Sequence, residues 1–302
     1  MSPMAHTEAG RERKPEWLKA RIPGGDAYFA LKNKLGQRGL HTICQSARCP
    51  NIHECWNGNQ ATFLIMGSVC TRDCGFCAVR SGSPLPPDGD EGGKLAEMAN
   101  LMNLEYAVIT SVSRDDLPDK GSAHFASVIR ALRRERPRMK IEVLVPDFSG
   151  RPECLDRVLD AGPDVLAHNV ETVPALYPRM NRRPEAYGHS LRILEHGKRR
   201  GWVTKTGLMV GLGETADEVQ DLFKDLRRGE NGVDALTIGQ YLQPDGRRLP
   251  VSRYYSPAEF AALKASALGH GFVGVESGPF VRSSYHADQL YHAVSRALSR
   301  IQ

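Results

Sequence analysis

From Thr62 to Gln240 the chain alternates two rhythms: short runs that are apolar throughout, and longer segments whose apolar residues recur at helical spacing. Thr62–Gly67, Tyr106–Thr110, Ile141–Val145, Val165–His168, Val203–Val210 and Ala235–Gln240 read as buried strands. Between them Lys94–Leu101, His124–Arg136, Glu153–Leu159, Ser190–Arg200 and Asp217–Arg228 read as helices, with Pro137 and Gly201 as stops. Strands without polar alternation are covered on both faces, and strands separated by helices build βαβ units around a parallel sheet. A helix over Pro257–Gly269, an apolar strand over Phe272–Val275 and a helix over His286–Leu298 close the chain. Upstream, residues 1–40 read as an extended arm with turns at Pro15, Pro23-Gly24-Gly25 and Gly36 and a short helix near Tyr28–Leu35. Residues 41–60 are polar, cysteine-bearing and without clear periodicity.

Six such units fit either an open doubly wound α/β sheet or a partial (βα) barrel, because a full eight-unit barrel takes ~250 residues and the arm consumes part of the length. In both architectures function gathers at the carboxyl ends of the strands. Polar clusters stand there: Thr110-Ser111, His168-Asn169, Gly211–Glu214 and Gln240. Composition narrows the class without changing this picture. Apolar residues make up 41% and charged residues 25% of 302, enough for a large core and against disorder. The net charge of +5 is spread along the chain, which argues against a nucleic-acid binder. The longest apolar stretch, Phe63–Met66, is far below the ~20 residues a membrane span needs. No apolar leader precedes the arm, and Glu8, Glu12 and Glu16 oppose a transit peptide, so a soluble, cytoplasmic protein is expected.

The cysteines change the picture. Six of the seven lie between Cys44 and Cys77, and Cys154 stands alone. An odd count without an export signal points to metal or redox chemistry rather than disulfides. Cys70, Cys74 and Cys77 form a C-x3-C-x2-C loop just after the first predicted barrel strand. Three thiolates so placed can hold three irons of a four-iron cluster and leave the fourth open to a chelating small molecule. A zinc knuckle is the competing reading, but it wants a closed set of four ligands. Cys44, Cys49 and Cys55 form a second, C-x4-C-x5-C triplet. A two-cluster electron carrier is a further alternative, and the two hundred residues of βα pattern are excessive for one.

The C-x3-C-x2-C loop after a strand opening a βα barrel resembles the radical S-adenosylmethionine superfamily. The doubled triplet narrows the resemblance to the lipoyl synthase family. It extends through Lys14-Pro-Glu-Trp-Leu18, Ala47-Arg-Cys-Pro-Asn-Ile52, Asp115-Asp-Leu-Pro-Asp119, His168-Asn-Val-Glu-Thr172, Gly207-Leu-Met-Val-Gly-Leu-Gly-Glu-Thr215, Gln240-Tyr-Leu-Gln-Pro244 and Arg282-Ser-Ser-Tyr-His-Ala287. His53 and Lys120 depart from it, each standing where glycine is more usual. The resemblance implies a partial (βα)6 TIM-like barrel over 61–270, an N-terminal extension over 1–60 bearing the auxiliary-cluster cysteines, and a C-terminal segment over 271–302. It implies two [4Fe-4S] clusters and S-adenosyl-L-methionine as cofactors. The cluster on Cys70, Cys74 and Cys77 would generate 5′-deoxyadenosyl radicals. That on Cys44, Cys49 and Cys55, with Ser283 as its fourth ligand, would supply sulfur to C6 and C8 of a protein-bound octanoyl-lysine. Phe76, Asn169 and Glu171 would contact the cofactor. Implied partners are octanoylated lipoyl carrier domains or glycine-cleavage H-type proteins, an electron donor such as ferredoxin or flavodoxin, and an iron–sulfur carrier for cluster rebuilding, with no nucleic acid or membrane.

Other residues have plainer readings. The glycines of Gly211-Leu-Gly213-Glu-Thr215 precede a helix and would let a backbone approach an anion, although a glycine pair alone is usually a tight turn. Cys154 shares one helical face with Leu155, Val158 and Leu159 and reads as core. His189, His196 and His270 read as surface or loop residues, and His41, His53 and His286 lie near the cluster motifs. The basic runs at Arg133–Arg138, Lys198–Arg200, Arg227-Arg228 and Arg247-Arg248 read mainly as solvated helix ends, with attraction of an acidic carrier as the alternative.

Overall fold

The structure, a computed structural model, describes residues 14–229 and 232–300; Glu8 and Glu12 lie outside the described residues. In chain order the elements are α1 (Asp26–Gln37), β1 (His41–Thr42), α2 (Ile43–Ser46), α3 (Ile52–Asn57), β2 (Thr62–Ile65), β3 (Val69–Cys70), β4 (Arg80–Ser81), α4 (Glu91–Leu101), β5 (Tyr106–Ser111), α5 (Ser122–Glu135), β6 (Lys140–Leu144), α6 (Pro152–Leu159), β7 (Val165–Ala167), α7 (Glu185–Arg199), β8 (Val203–Val210), α8 (Ala216–Leu226), β9 (Ala235–Gln240), α9 (Pro257–Gly269), β10 (Gly274–Gly278) and α10 (Ala287–Leu298). One sheet runs β1-β2-β5-β6-β7-β8-β9-β10, with all neighbours from β2 onward parallel and β1 antiparallel to β2. Its two edges stay unjoined, so the barrel is partial.

Apart from the unpredicted two-residue strands β3 and β4 and the start of α7, the strands and helices from β2 to α9 fall on the predicted segments within a few residues. Alternate strand residues explain the two layers. Ala107, Ile109, Ile141, Val143 and Leu166 pack outward with Leu95, Met98, Phe125, Ile129 and Val158 of the helices. Their neighbours Tyr106, Glu142 and Lys205 face the barrel lumen, where Lys205 Nζ donates to Glu142 at 2.9 Å and the Tyr106 hydroxyl donates to the same carboxylate at 2.6 Å. Charges buried this deeply persist because they are paired and hydrogen-bonded. At the far end, Leu290 and Val294 of α10 pack with Ala235, plugging the barrel at the amino ends of its strands.

Four expectations are corrected. Residues 41–60 are ordered rather than irregular: Thr42 caps α2, and Trp56 of α3 packs on the Tyr28 ring of α1 with centroids 5.0 Å apart. Helices of four and six residues are too short for an apolar repeat to show. Gly36 lies inside α1 instead of a turn. Helix α7 begins at Glu185, five residues before the predicted Ser190, because Pro184 marks its start and its first turn is polar. The last strand is Gly274–Gly278; Phe272 before it turns into the core instead of pairing.

Candidate functional site

The C-x3-C-x2-C loop leaves the carboxyl end of β2 and is clamped on several sides. Arg72 donates to both oxygens of Asp115 and both of Asp147, beyond the ends of β5 and β6. Burial alone would raise Asp147, but the Arg72 guanidinium holds its carboxyl well below the usual range. Gly75 bonds the Met180 carbonyl and accepts from Leu249 N–H; a Cβ there would press on both Leu249 and the Arg179 carbonyl. Arg248 donates to Asp73 at 2.6 Å. Phe76 packs with the apolar core under β8 and β9. Cys70 Sγ accepts from the backbone N–H groups of Arg72 and Ser113 at 3.4 and 3.3 Å. Burial, with the neighbouring thiols, pushes Cys74 up to about 12 and Cys77 to about 11. Such thiols become thiolates when a bound cation compensates the charge, with release of protons.

At the mouth of β7 Glu171 takes a left-handed backbone with φ of 68°. Its N–H bonds the Gly207 carbonyl and its carbonyl accepts from Met209, which anchors it on β8. Its carboxylate is pushed up by burial, drawn back by Arg182, and bonded by the Asn169 side chain; Cys74 and Cys77 both feel its charge. The structure therefore brings Asn169 and Glu171 to the second triplet. His168 beside them points the other way, buried between the Val145 carbonyl at 2.8 Å and Ser190 Oγ at 2.9 Å.

The first triplet occupies the opposite end. Strand β1 runs antiparallel to β2 with Thr42 opposite Phe63, so Cys44 arrives beside Thr62, where β2 begins. The first triplet thus stands at the amino end of β2, away from the polar clusters at the carboxyl ends of the strands. Cys44, Cys49 and Cys55 sit together on a cavity of about 330 Å³ whose wall includes Thr62, Leu104 and Tyr106. Burial, then the two neighbouring thiols, pushes Cys55 up to about 12. The two triplets bracket β2, four residues long and so ~13 Å.

The C-terminal segment closes the first triplet from outside. Asn51 donates to the Phe280 carbonyl at 2.7 Å, the Tyr285 hydroxyl to Glu54 at 3.0 Å, and His286 lies 3.7 Å from the same carboxylate. Arg282 is buried beside Cys49. Ser284 lines the cavity, whereas Ser283 Oγ donates to Asn169 Oδ1 at 2.7 Å. Arg72, Arg282, Ser284 and the Asn51, Glu54 and Tyr285 clamp were not singled out by sequence reasoning. Arg72 and Asn51 lay within the quoted cysteine motifs, but no spacing rule marks a residue that braces a loop.

Several expectations resolve structurally. The Gly211 nest is filled by the chain itself: Glu214 accepts from the N–H groups of Gly211, Leu212 and Gly213 at 2.6–3.1 Å and from the Tyr255 hydroxyl at 2.8 Å. Cys154 is buried in the core of α6. His196 on α7 is partnered with Asp156, His270 just past the end of α9 with Gln220, and His189 lies on α7. The basic runs brace loops: Arg133 reaches the Met139 and Gly162 carbonyls and Asp164, Arg136 the Leu104 carbonyl, and Lys198 Asp234. Lys120 adopts φ of 56°, the left-handed conformation that explains why glycine is usual there.

In each set three thiols stand close enough to raise one another's pKa, as the three thiols shared by one four-iron cluster would. Among the described residues no three Cys, His, Asp or Glu side chains converge on one metal position. Zinc needs its sulfurs at ~2.3 Å from one point. A four-iron cluster keeps its irons at separate corners, so its cysteines stand apart.

A family profile described as the radical SAM superfamily matches residues 64–226, and one described as the N-terminal domain of lipoyl synthase matches residues 3–49. A lipoyl synthase of Rubrobacter xylanophilus is 53% identical over 285 residues, covering 93% of this chain and 88% of the relative. That of Myxococcus xanthus is 53% identical, covering 92% and 94%. The chain belongs to the lipoyl synthase family. Lipoyl synthases insert two sulfur atoms, at C6 and C8, into a protein-bound octanoyl chain, using two [4Fe-4S] clusters and S-adenosylmethionine. The fold agrees: methylornithine synthase aligns with TM-score 0.51 at 15% identity, covering 90% of this chain and 91% of its own. The [FeFe]-hydrogenase maturase HydG of Carboxydothermus hydrogenoformans aligns with TM-score 0.57 at 15% identity, covering 76% and 56%. Among the described residues no helix is long and apolar enough to cross a membrane.

Proposed function

We propose the following division of labour within this lipoyl synthase. Cys70, Cys74 and Cys77 hold the cluster that binds S-adenosylmethionine; Cys44, Cys49 and Cys55 hold the cluster that gives up sulfur, with Ser284, which lines their cavity, in place of the expected Ser283, which is turned onto Asn169, as the serine on its remaining iron. The N-terminal extension over 1–60 and the C-terminal segment over 271–302 serve the second of these, and the barrel over 61–270 serves the first. When bound, these groups supply a hydrogen-abstracting carbon radical and the sulfur, a task no acid–base pair performs on an unactivated C–H bond. The rest is the chain's work. Phe76, Asn169 and Glu171 position the cofactor at the carboxyl end of the barrel. Tyr285, Glu54 and Asn51 hold the cover over the sulfur-donating end. The α10 plug and the paired Glu142–Lys205 floor keep water from the lumen between the two sites.

The observation that carries this reading is the pair of thiol triplets at opposite ends of one short strand, with the barrel between them. An octanoyl chain lying there meets the radical source on one side and the sulfur source on the other. The carrier is an octanoylated lipoyl domain or a glycine-cleavage H-type protein, the reductant a ferredoxin or flavodoxin, and an iron–sulfur carrier rebuilds the spent cluster, all in the cytoplasm. Replacing Cys70, Cys74 and Cys77 by alanine should abolish cofactor cleavage. Replacing Cys44, Cys49 and Cys55 should leave 5′-deoxyadenosine formation measurable and eliminate sulfur insertion. Sulfur insertion that survives the second replacement overturns the assignment.

A further inference from the structure

The chain has three tryptophans, and two have their indole N–H in use: Trp17 donates to the Tyr255 carbonyl at 3.2 Å and Trp202 to the Pro163 carbonyl at 2.9 Å. Trp56 on α3 is different. It is fully buried, and its indole N–H meets no acceptor in hydrogen-bonding geometry among the described residues. Leaving a buried donor unpaired costs free energy, so nearly all such groups in folded proteins find a partner. The ring is held in place against Tyr28, with planes 31° apart, in the core that also contains Cys44. The sulfur of Cys44 is the group on which the indole N–H bears, and its ionised form is favoured there by Trp56 and by the N–H and side chain of Thr62. The other two cysteines are served differently. Cys49 draws on the Asn51 backbone, and Cys55 faces the Glu54 carboxylate.

We propose that Trp56 is a positioning residue for the first-triplet cluster: its indole N–H donates to Cys44 Sγ when that sulfur is a thiolate on iron, and makes the cluster easier to reduce. The inference rests on the reading that Cys44, Cys49 and Cys55 hold the sulfur-donating cluster. A neutral thiol is a weak acceptor, whereas an iron-bound thiolate is charged and accepts strongly, so the unpaired N–H gains its partner in the loaded protein. Hydrogen bonds to the sulfurs of a cluster draw off negative charge and raise its reduction potential. The reaction makes use of this. A cluster sulfide that shares one electron with a carbon radical in a new C–S bond passes a second to iron, ferric becoming ferrous. It stays on carbon as a thiolate when its bonds to iron break. A donor that stabilises the electron left on iron favours that transfer.

The test uses the full chain with Cys70, Cys74 and Cys77 replaced by alanine, reconstituted without oxygen, so that the first-triplet cluster stands alone. Trp56 is exchanged for benzothienylalanine, which keeps the shape of the ring and puts sulfur in place of the N–H. Loss of one charge-assisted hydrogen bond should move the one-electron reduction equilibrium about tenfold toward the oxidised cluster, a fall of about 59 mV in potential. A second measurement reads the contact itself. With the heavy nitrogen isotope in the indole rings, pulsed EPR of the reduced cluster should show coupling to one indole nitrogen, and Trp56→Phe should abolish it. An unchanged potential in the benzothienylalanine variant overturns the proposal, as does the absence of nitrogen coupling or its persistence in Trp56→Phe. Iron analysis separates the two levels of the argument. If the first triplet holds no four-iron cluster, the reading under Proposed function falls and the proposal with it; a cluster of unchanged potential removes the proposal alone.

Discussion

Two residues show how local physics separates structural from chemical roles. His168 sits in a motif shared with Asn169, yet its ring is enclosed between a carbonyl and a serine. Burial holds its pKa down at about 4, against about 6.5 in the unfolded chain. The unfolded state therefore binds the proton first, and stability contributed by neutral His168 is complete above pH ~6.5 and lost as pH falls toward the folded value. Urea unfolding across that window should show a loss approaching ~1.4 kcal/mol per pH unit from this group, and His168→Gln should flatten the slope. Glu214 makes the complementary case. Its glycine-rich setting looked like a site for a foreign anion, and sequence spacing does not reveal that a carboxylate one residue on folds back to fill it. Glu214→Gln should cost ~1–3 kcal/mol in chemical denaturation, because one amide cannot accept from the same converging donors. An unchanged midpoint would show that the nest does not depend on this carboxylate.

At the scale of elements, the strands that are apolar throughout and the helices of eight residues or more were legible, whereas β1, α2, α3, β3 and β4 were not. α2, α3 and β1 carry the first triplet, but they are set by Thr42 capping, by pairing with β2 and by Trp56 packing on Tyr28, none of which leaves a periodic trace. The Arg-Ser-Ser-Tyr run drew the C-terminal segment to the first triplet by resemblance; its anchors Asn51 and Glu54 lie more than two hundred residues away and emerge only from the fold. Gly239 on β9 is one point where this segment touches the barrel, and a Cβ there would fall on the Val281 carbonyl oxygen. Gly239→Ala should displace the segment. Tryptic cleavage after Arg282 should accelerate, and retention of the first-triplet cluster should fall while the second persists. Unchanged proteolysis and full retention of both would contradict this account of the cover.

For the molecule as a whole, the βα rhythm left an open sheet and a partial barrel as alternatives, and the resemblance carried by the cysteine motifs implied the barrel and two clusters. What the rhythm hid is that the two thiol sets lie at opposite ends of the sheet, since the direction in which β1 enters is a matter of pairing and not of pattern. The chain reconstituted without oxygen should hold about eight iron and eight sulfide, as two four-iron clusters; four iron, or zinc in their place, would contradict the two-cluster account. The most direct test of the central claim is mass analysis of an octanoyl-lysyl peptide after anaerobic incubation with the reconstituted chain, S-adenosylmethionine and a reductant, with the heavy sulfur isotope present only in the clusters. The account predicts a product carrying two sulfurs, both heavy, in the unaltered chain and none in the Cys44, Cys49 and Cys55 to alanine variant. A doubly sulfurated product from that variant, or light sulfur in the product of the unaltered chain, would contradict it.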